Sequence, residues 1–108
     1  MKHIGATELS QMLDAGLADA RPCLLDVREP WETEIAMLPG SLCIPMGEVA
    51  QRIGDVPAQQ AIVCICHHGV RSLHVARFLI QNGFETVYNL QGGIDAWARE
   101  VDRLCATY

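Results

Sequence analysis

The residues best suited to chemistry lie in the segment from Ala61 to Leu73. A run of mostly β-branched apolar residues ends at Cys66, a glycine-containing loop follows, and helical periodicity begins at Ser72. This pattern predicts a strand, a tight loop and a helix. The thiol of Cys66 would then lie where the strand ends and the loop begins.

The loop after Cys66 is expected to surround the sulfur with hydrogen-bond donors. The first N–H groups of a helix have no partner inside the helix, so they can turn toward an anion at the start of the loop. Arg71 adds a positive charge, and the thiol should ionise more readily than an ordinary cysteine. We therefore predict Cys66 as a nucleophile, the alternative being a buried structural cysteine. The predicted active-site loop comprises His67, His68, Gly69, Val70, Arg71 and Ser72.

The two histidines of this loop leave two interpretations open. When protonated they would help to hold an anionic ligand or guide a proton, although an ordinary imidazole is mostly neutral at pH 7. Alternatively, His67 and His68 are solvent-facing side chains that only shape the entrance. Three adjacent residues, Cys66 to His68, cannot easily all point at one ion, and no paired-cysteine or spaced-histidine pattern is present. We therefore predict no metal site.

A second predicted strand brings charged residues to the same edge of the sheet. The segment from Pro22 to Arg28 is a nearly continuous apolar run that ends in Asp26 and Arg28. Such a run is typical of a strand covered on both faces. Because ligands gather beyond the carboxyl ends of parallel strands, both charges should lie near Cys66. Buried charges are usually paired, so we expect them to hold neighbouring loops by hydrogen bonds, a direct catalytic role being the alternative.

The remaining segments alternate between strands and helices. A first helix opens at Thr7 and can end at Gly16. We predict a short edge strand at 3–4, helices over 30–36, 46–53, 72–82 and 94–101, an extended piece at 42–45 and a strand at 86–90. Such alternation predicts an α/β fold with a mostly parallel central sheet of about five strands and helices on both faces.

Composition limits the classes of partner. The 108 residues, half of them hydrophobic, suffice for one domain, with a core at about 1–101 and a polar tail at 102–108. A net charge of −5 with a single lysine argues against nucleic acid or an anionic membrane as the main partner. Five cysteines without a secretory signal argue against a disulfide framework, and no apolar stretch reaches the roughly 20 residues of a membrane span. We expect a reduced, cytoplasmic protein that acts on small molecules or proteins.

Four segments carry a resemblance to a known family. They are Leu25 to Glu29, the turn at Pro39 to Ser41 with Ile44–Pro45, the loop from Cys66 to Arg71, and Asn89 to Trp97. On these residues the chain resembles a single-domain rhodanese. The resemblance implies the rhodanese-like three-layer sandwich and a sulfurtransferase that needs no cofactor.

The resemblance also implies a mechanism. The Cys66 thiolate would take the outer sulfur of a small anionic donor such as thiosulfate and pass it, as a persulfide, to an acceptor. That acceptor is cyanide in an assay and a thiol or a sulfur-accepting protein in a cell. Arg71 would brace the loop or attract the donor.

Two functions other than sulfur transfer are alternatives for this chain. A cysteine phosphatase loop has five residues between Cys and Arg, whereas four separate Cys66 from Arg71, so the loop should crowd a phosphoryl group. A non-catalytic rhodanese-like binding or regulatory module often lacks the cysteine that is present here.

The roles of two further cysteines also stay open. Cys64 is either a core residue or a disulfide partner of Cys66, and Cys105 in the tail could receive sulfur or protect the site.

Overall fold

Five parallel strands form one sheet in the computed structural model, which describes residues 1–15 and 21–108. The strand order is β1-β5-β4-β2-β3, so β4 lies in the centre and β1 lies at an edge, as predicted. The strands are β1 (Lys2–Ile4), β2 (Cys23–Asp26), β3 (Leu42–Cys43), β4 (Ile62–Ile65) and β5 (Val87–Leu90). All neighbouring pairs run parallel, which requires the crossovers that the alternating pattern predicted.

Within the described ranges, three α-helices lie between strands and a fourth follows the last strand. They are α1 (Ala6–Ala15), α2 (Pro30–Ile35), α3 (Val70–Gln81) and α4 (Gly93–Glu100). Gly16, the expected end of the first helix, lies outside the described residues.

The predicted helix over 46–53 is wrong. This segment contains a short 3-10 turn at Met46–Glu48 and precedes a second one at Ile53–Asp55. Gly47 in this segment lowers the helix propensity by about 1 kcal/mol relative to alanine, and Gly54 directly after it does not favour extending a helix.

The two faces of the sheet build two hydrophobic cores. Side chains on a strand alternate between faces, so Ile62 and Cys64 pack with α3, whereas Val63 and Ile65 pack with α1 and α4. Both faces of the central strand are therefore covered by helices. The α/β fold predicted from the sequence, with a parallel five-stranded sheet and helices on both faces, is confirmed.

The strand register gathers the chemically interesting residues at one edge. Asp26 at the end of β2 is paired with Ile65, the residue before Cys66. Asn89 in β5 is paired with Cys64 on the other side of β4. Because all three strands run parallel, their carboxyl ends bring Asp26, Cys66 and Asn89 to one edge of the sheet.

The helices of the described chain are all unsuited to crossing a bilayer. Within residues 1–15 and 21–108, none combines the length and apolar composition of a membrane span.

Two leucines allow the core to be tested with matched substitutions. Leu25 in β2 is fully buried, whereas Leu104 is 96% exposed. Leu25→Ala should lower the free energy of unfolding by about 2–5 kcal/mol, because it removes buried surface and leaves a cavity. Leu104→Ala should change that energy by less than about 0.5 kcal/mol. Urea denaturation of both variants checks this, and equal losses would contradict the assigned core.

Candidate active site

The loop that holds Cys66 is shaped by a glycine. β4 ends at Ile65, and α3 begins at Val70, two residues earlier than the periodicity predicted. Gly69 between them has a φ of +105°, which L side chains rarely adopt. A Cβ there would also lie 3.3 Å from the carbonyl oxygen of Leu90. The tight turn from strand to helix therefore depends on glycine at this position.

Two donors lie within hydrogen-bonding distance of the Cys66 sulfur. The N–H of Gly69 donates to Sγ over 3.0 Å, and the hydroxyl of Ser72 lies 3.2 Å from it. This set is narrower than the full row of amides from residues 67–72 that the sequence suggested. Cys66 itself is only 1% exposed. Its sulfur lies in a small polar cradle under the surface.

Asn89 connects the two sides of this cradle. The side chain is buried at the end of β5, where its Nδ2 donates to the carbonyl oxygen of Gly69 over 3.1 Å. Its Oδ1 accepts a hydrogen bond from the Ser72 hydroxyl. A hydroxyl has one proton and two acceptor lone pairs. Ser72 can therefore accept from the Cys66 thiol while it donates to Asn89, or donate to the sulfur once the thiol is ionised.

The first turn of α4 fixes the start of the loop. The carbonyl oxygens of Cys66 and His67 accept hydrogen bonds from the amides of Ile94 and Asp95 over 2.9 and 3.1 Å. Gly93 makes this approach possible, because a Cβ there would lie 2.3 Å from the carbonyl oxygen of His67. The last helix thus holds the peptide groups next to the thiol.

Arg71 is bound by a carboxylate from α2. Its Nη1 and Nη2 donate to Oε1 and Oε2 of Glu32 over 2.6 and 2.8 Å, a bidentate pair. The Glu32 side chain is 4% exposed. The hydrogen bonds from Arg71 lower the pKa of Glu32 to about 2, although burial acts to raise it. The same hydrogen bonds raise the pKa of Arg71, so both groups are charged at neutral pH.

Tyr108 in the C-terminal tail joins the site. Its hydroxyl donates to Oε2 of Glu32 over 2.6 Å and accepts from Nη1 of Arg28 over 3.0 Å. Its ring stacks on His67, with the centroids 3.9 Å apart and the planes 9° from parallel. The ring edge of Trp31 lies beside it. The tail therefore packs against the active-site loop.

Asp26 and Arg28 form a fully buried ion pair. Nη2 of Arg28 lies 2.6 Å from Oδ2 of Asp26, and both side chains are fully buried. The guanidinium also donates to the carbonyl oxygens of Glu32 and Ala36, at the two ends of α2. The pair thus joins β2 to the helix that supplies Glu32 to Arg71.

The two loop histidines lie in different surroundings. The ring of His67 stacks between Tyr108 and His68, and within the described residues its buried Nε2 has no hydrogen-bond partner. The side chain of His68 is 62% exposed, with Nδ1 3.9 Å from Oδ2 of Asp95. His67 is therefore part of the packed loop, and His68 lies at its surface.

All five cysteines are free thiols. Cys64 is fully buried in the same core as Cys66, and burial raises its pKa to about 12. Cys105 is partly buried against the other core. The suggested Cys64–Cys66 disulfide is absent.

Three residues of this site were missed in the sequence. Glu32 falls within the predicted helix over 30–36, Asn89 within the predicted strand and the resembling segment Asn89 to Trp97, and Tyr108 within the polar tail, and none of these placements predicts a role in the site. Asn89 carried a usable signal, since it is a polar residue near the carboxyl end of a predicted parallel strand. Glu32 and Tyr108 lie far in sequence from the residues that they bind. Glu32 is 39 residues from Arg71, and Tyr108 is 76 residues from Glu32, so local patterns could not place them.

Comparison with known proteins gives consistent matches. The family model described as "Rhodanese-like domain" matches residues 5–100. A protein named "Sulfurtransferase" from Allochromatium vinosum is 40% identical over 83% of this chain and 85% of its own length. A "Putative sulfurtransferase YtwF" from Bacillus subtilis is 34% identical over 93% of both chains. The crystal structure of a rhodanese-like domain protein from Staphylococcus aureus has a TM-score of 0.84 at 28% identity, covering 100% of this chain and 99% of that one.

Gly93 and Gly83 separate backbone strain from steric conflict. Both have positive φ angles, but a Cβ at Gly83 meets nothing within 4 Å, whereas one at Gly93 collides with the Cys66 loop. Gly83→Ala should cost about 1–2 kcal/mol of stability for the strain alone. Gly93→Ala should cost more and should also change the rate at which iodoacetamide alkylates Cys66. Urea denaturation and mass spectrometry measure the two effects, and an unchanged alkylation rate in Gly93→Ala would contradict the role of α4.

The ion pair of Glu32 should make stability depend on pH. The pKa of Glu32 is about 2 in the folded chain and about 4.5 in an unfolded one. Its contribution is therefore present above about pH 4.5 and is lost as the pH falls toward about 2. Glu32→Gln should cost about 2–4 kcal/mol at pH 7, and this cost should shrink across that window. Denaturation from pH 7 to 2.5 measures it. The exposed Glu34→Gln should show a small, pH-independent change, and a constant cost for Glu32→Gln would refute the assignment.

Proposed function

The chain belongs to the rhodanese-like domain family, and on that premise we propose that it is a sulfurtransferase with Cys66 as its nucleophile. Relatives named sulfurtransferases match most of the chain. The geometry that supports the role of Cys66 is the pair of donors, Gly69 N–H and the Ser72 hydroxyl, aimed at its sulfur. Such donors stabilise a thiolate before the reaction begins.

Transfer proceeds in two steps. The Cys66 thiolate attacks the outer sulfur of a sulfane donor, forming a new S–S bond as the donor's own bond breaks. With thiosulfate, the electron pair leaves on sulfite. An acceptor nucleophile then attacks the outer sulfur of the Cys66 persulfide, and the electron pair of that bond returns to Cys66 as thiolate. Splitting the transfer in this way is ordinary covalent catalysis.

The rest of the site supports these steps. Asn89 holds Ser72 in reach of the sulfur, and α4 holds the loop backbone. No step calls for a cofactor. Cyanide is the assay acceptor, and a thiol or a sulfur-accepting protein is the proposed cellular one. A cytoplasmic location accords with five free thiols and is part of the proposal.

One observation favours a second candidate, a non-catalytic rhodanese-like binding module. Cys66 is 1% exposed, so a donor reaches the sulfur only if it is slim or if neighbouring side chains move. A structural cysteine would be buried in the same way. A structural role, however, gives no reason for an amide and a hydroxyl to converge on the sulfur.

Charging with sulfur distinguishes the two candidates. After incubation with thiosulfate or an organic persulfide, the intact mass of the protein should increase by one sulfur atom. Cys66→Ser should abolish this increase completely, because the attacking thiolate is gone. Cys105→Ser, which removes a partly buried thiol from the tail, is the control and should still be charged. If no sulfane donor charges the protein, the binding module is the better description.

A further inference from the structure

We propose that the physiological donor is an organic persulfide of low charge rather than thiosulfate. This inference rests on the proposed function and narrows its donor. It follows from the way the charges around Cys66 are paired, together with the apolar side chains beside them.

Arg71, the arginine of the active-site loop, is already paired with Glu32. Both of its terminal nitrogens bind the two carboxylate oxygens of Glu32. Glu32 is fixed further by the amide of Glu29 at 3.1 Å and the hydroxyl of Tyr108 at 2.6 Å. A donor that took Arg71 for itself would leave the buried carboxylate of Glu32 without its main partner, which is unfavourable. Arg71 therefore braces the loop and offers little to an incoming anion.

The other charged groups near the site are likewise buried or close to a carboxylate. Arg28 is fully buried against Asp26 and cannot reach a ligand. His68 lies at the surface, but its nearest charged neighbour is the carboxylate of Asp95. The chain as a whole carries a formal charge of −5. Within the described residues, both arginines of the site thus face a carboxylate, and the ring of His67 is packed between Tyr108 and His68 with its Nε2 buried.

Because the arginines of the site are already paired, binding of the thiosulfate anion is disfavoured. Thiosulfate is a dianion, so its reaction with the Cys66 thiolate concentrates three negative charges in one place. A persulfide in its protonated form R–S–SH, the form whose outer sulfur a thiolate can attack, adds no formal charge, and the complex then carries one. Repulsion between charges a few ångströms apart is stronger in a protein site than in water, because the effective dielectric there is lower, unless a cation offsets it. The paired arginines leave most of that repulsion in place.

The surface beside the Arg71–Glu32 pair suits the organic part of such a donor. Trp31, next to Glu32 in sequence, is 60% exposed, and Val70, next to Arg71, is 65% exposed. Val70 begins α3, and the ring of Trp31 lies beside Tyr108, which stacks on His67. Apolar side chains at these two positions offer contact to carbon atoms and nothing to sulfonate oxygens.

The charging step balances without further reagents. The Cys66 thiolate attacks the outer sulfur of R–S–SH, and a new S–S bond forms as the bond to the R–S group breaks. The electron pair leaves on R–S⁻, and the proton stays on the outer sulfur now attached to Cys66. The transferred sulfur atom keeps its oxidation level, because it is the outer sulfur of a persulfide before and after the step.

The test compares two donors on the unchanged protein. Second-order rate constants for charging are measured by intact mass with thiosulfate and with the persulfide of 2-mercaptoethanol, whose organic part is uncharged. We expect the persulfide to react at least about tenfold faster, a difference of about 1.4 kcal/mol in the barrier. The rate with thiosulfate should rise with salt, because salt screens the repulsion between the dianion and the negatively charged site.

Freeing Arg71 should reverse the preference. Glu32→Gln removes the carboxylate charge yet keeps a side chain able to accept the Glu29 amide. Charging by thiosulfate should then rise about tenfold relative to charging by the persulfide, and its rate should fall with salt, which screens the attraction to the freed Arg71. Glu34→Gln, an exposed glutamate in the same helix, is the matched control and should alter neither rate.

Each result decides a separate question. If thiosulfate charges the unchanged protein as fast as the persulfide, the donor inference is wrong and the sulfurtransferase remains. If neither donor charges Cys66, both proposals fail. Should Glu32→Gln not fold, the donor ratio and the salt dependence of the unchanged protein still decide the inference.

Discussion

The hydrogen bonds between the Cys66 loop and the first turn of α4 are the constraint on which the site depends. They bind the carbonyl oxygens of Cys66 and His67. Because the carbonyl and amide of a planar trans peptide point in opposite directions, binding two carbonyls also fixes the direction of the following amides. The loop then closes at Gly69, whose N–H reaches the sulfur, and α3 carries Ser72 to the other side. The cradle is thus built from backbone held by a neighbouring helix.

Around this backbone, the site contains one buried and one partly buried ion pair, which the hydroxyl of Tyr108 joins. Asp26 pairs with Arg28, Glu32 pairs with Arg71, and Tyr108 hydrogen-bonds to Arg28 and Glu32. Buried pairs contribute little net stability when intact, but removing one partner is expensive. Such pairs hold their segments in one arrangement. Here the segments are the end of β2, the helix α2, the active-site loop and the tail.

The sequence was most informative where structure is local. The change from a strand pattern to a helix pattern around Cys66, and the alternation of elements, sufficed to predict the parallel sheet and the place of the nucleophile. It failed at 46–53, where the chain forms 3-10 turns around Gly47 and Gly54 instead of one continuous helix. It also could not find Glu32, Asn89 or Tyr108, because each acts through a partner distant in sequence. Spacing describes neighbours along the chain, and these contacts exist only after the sheet has formed.

The position of α4 has a consequence for synthesis of the chain. Cys66 emerges well before Gly93, which begins the helix that shapes its loop. At about 5–20 residues per second, the interval between them is about one to five seconds. During that time β4 has neither β5 beside it nor an ordered loop after it. A newly made thiol is therefore open to cellular oxidants and electrophiles before the fold encloses it, and a reducing environment matters most to this protein while it is being made.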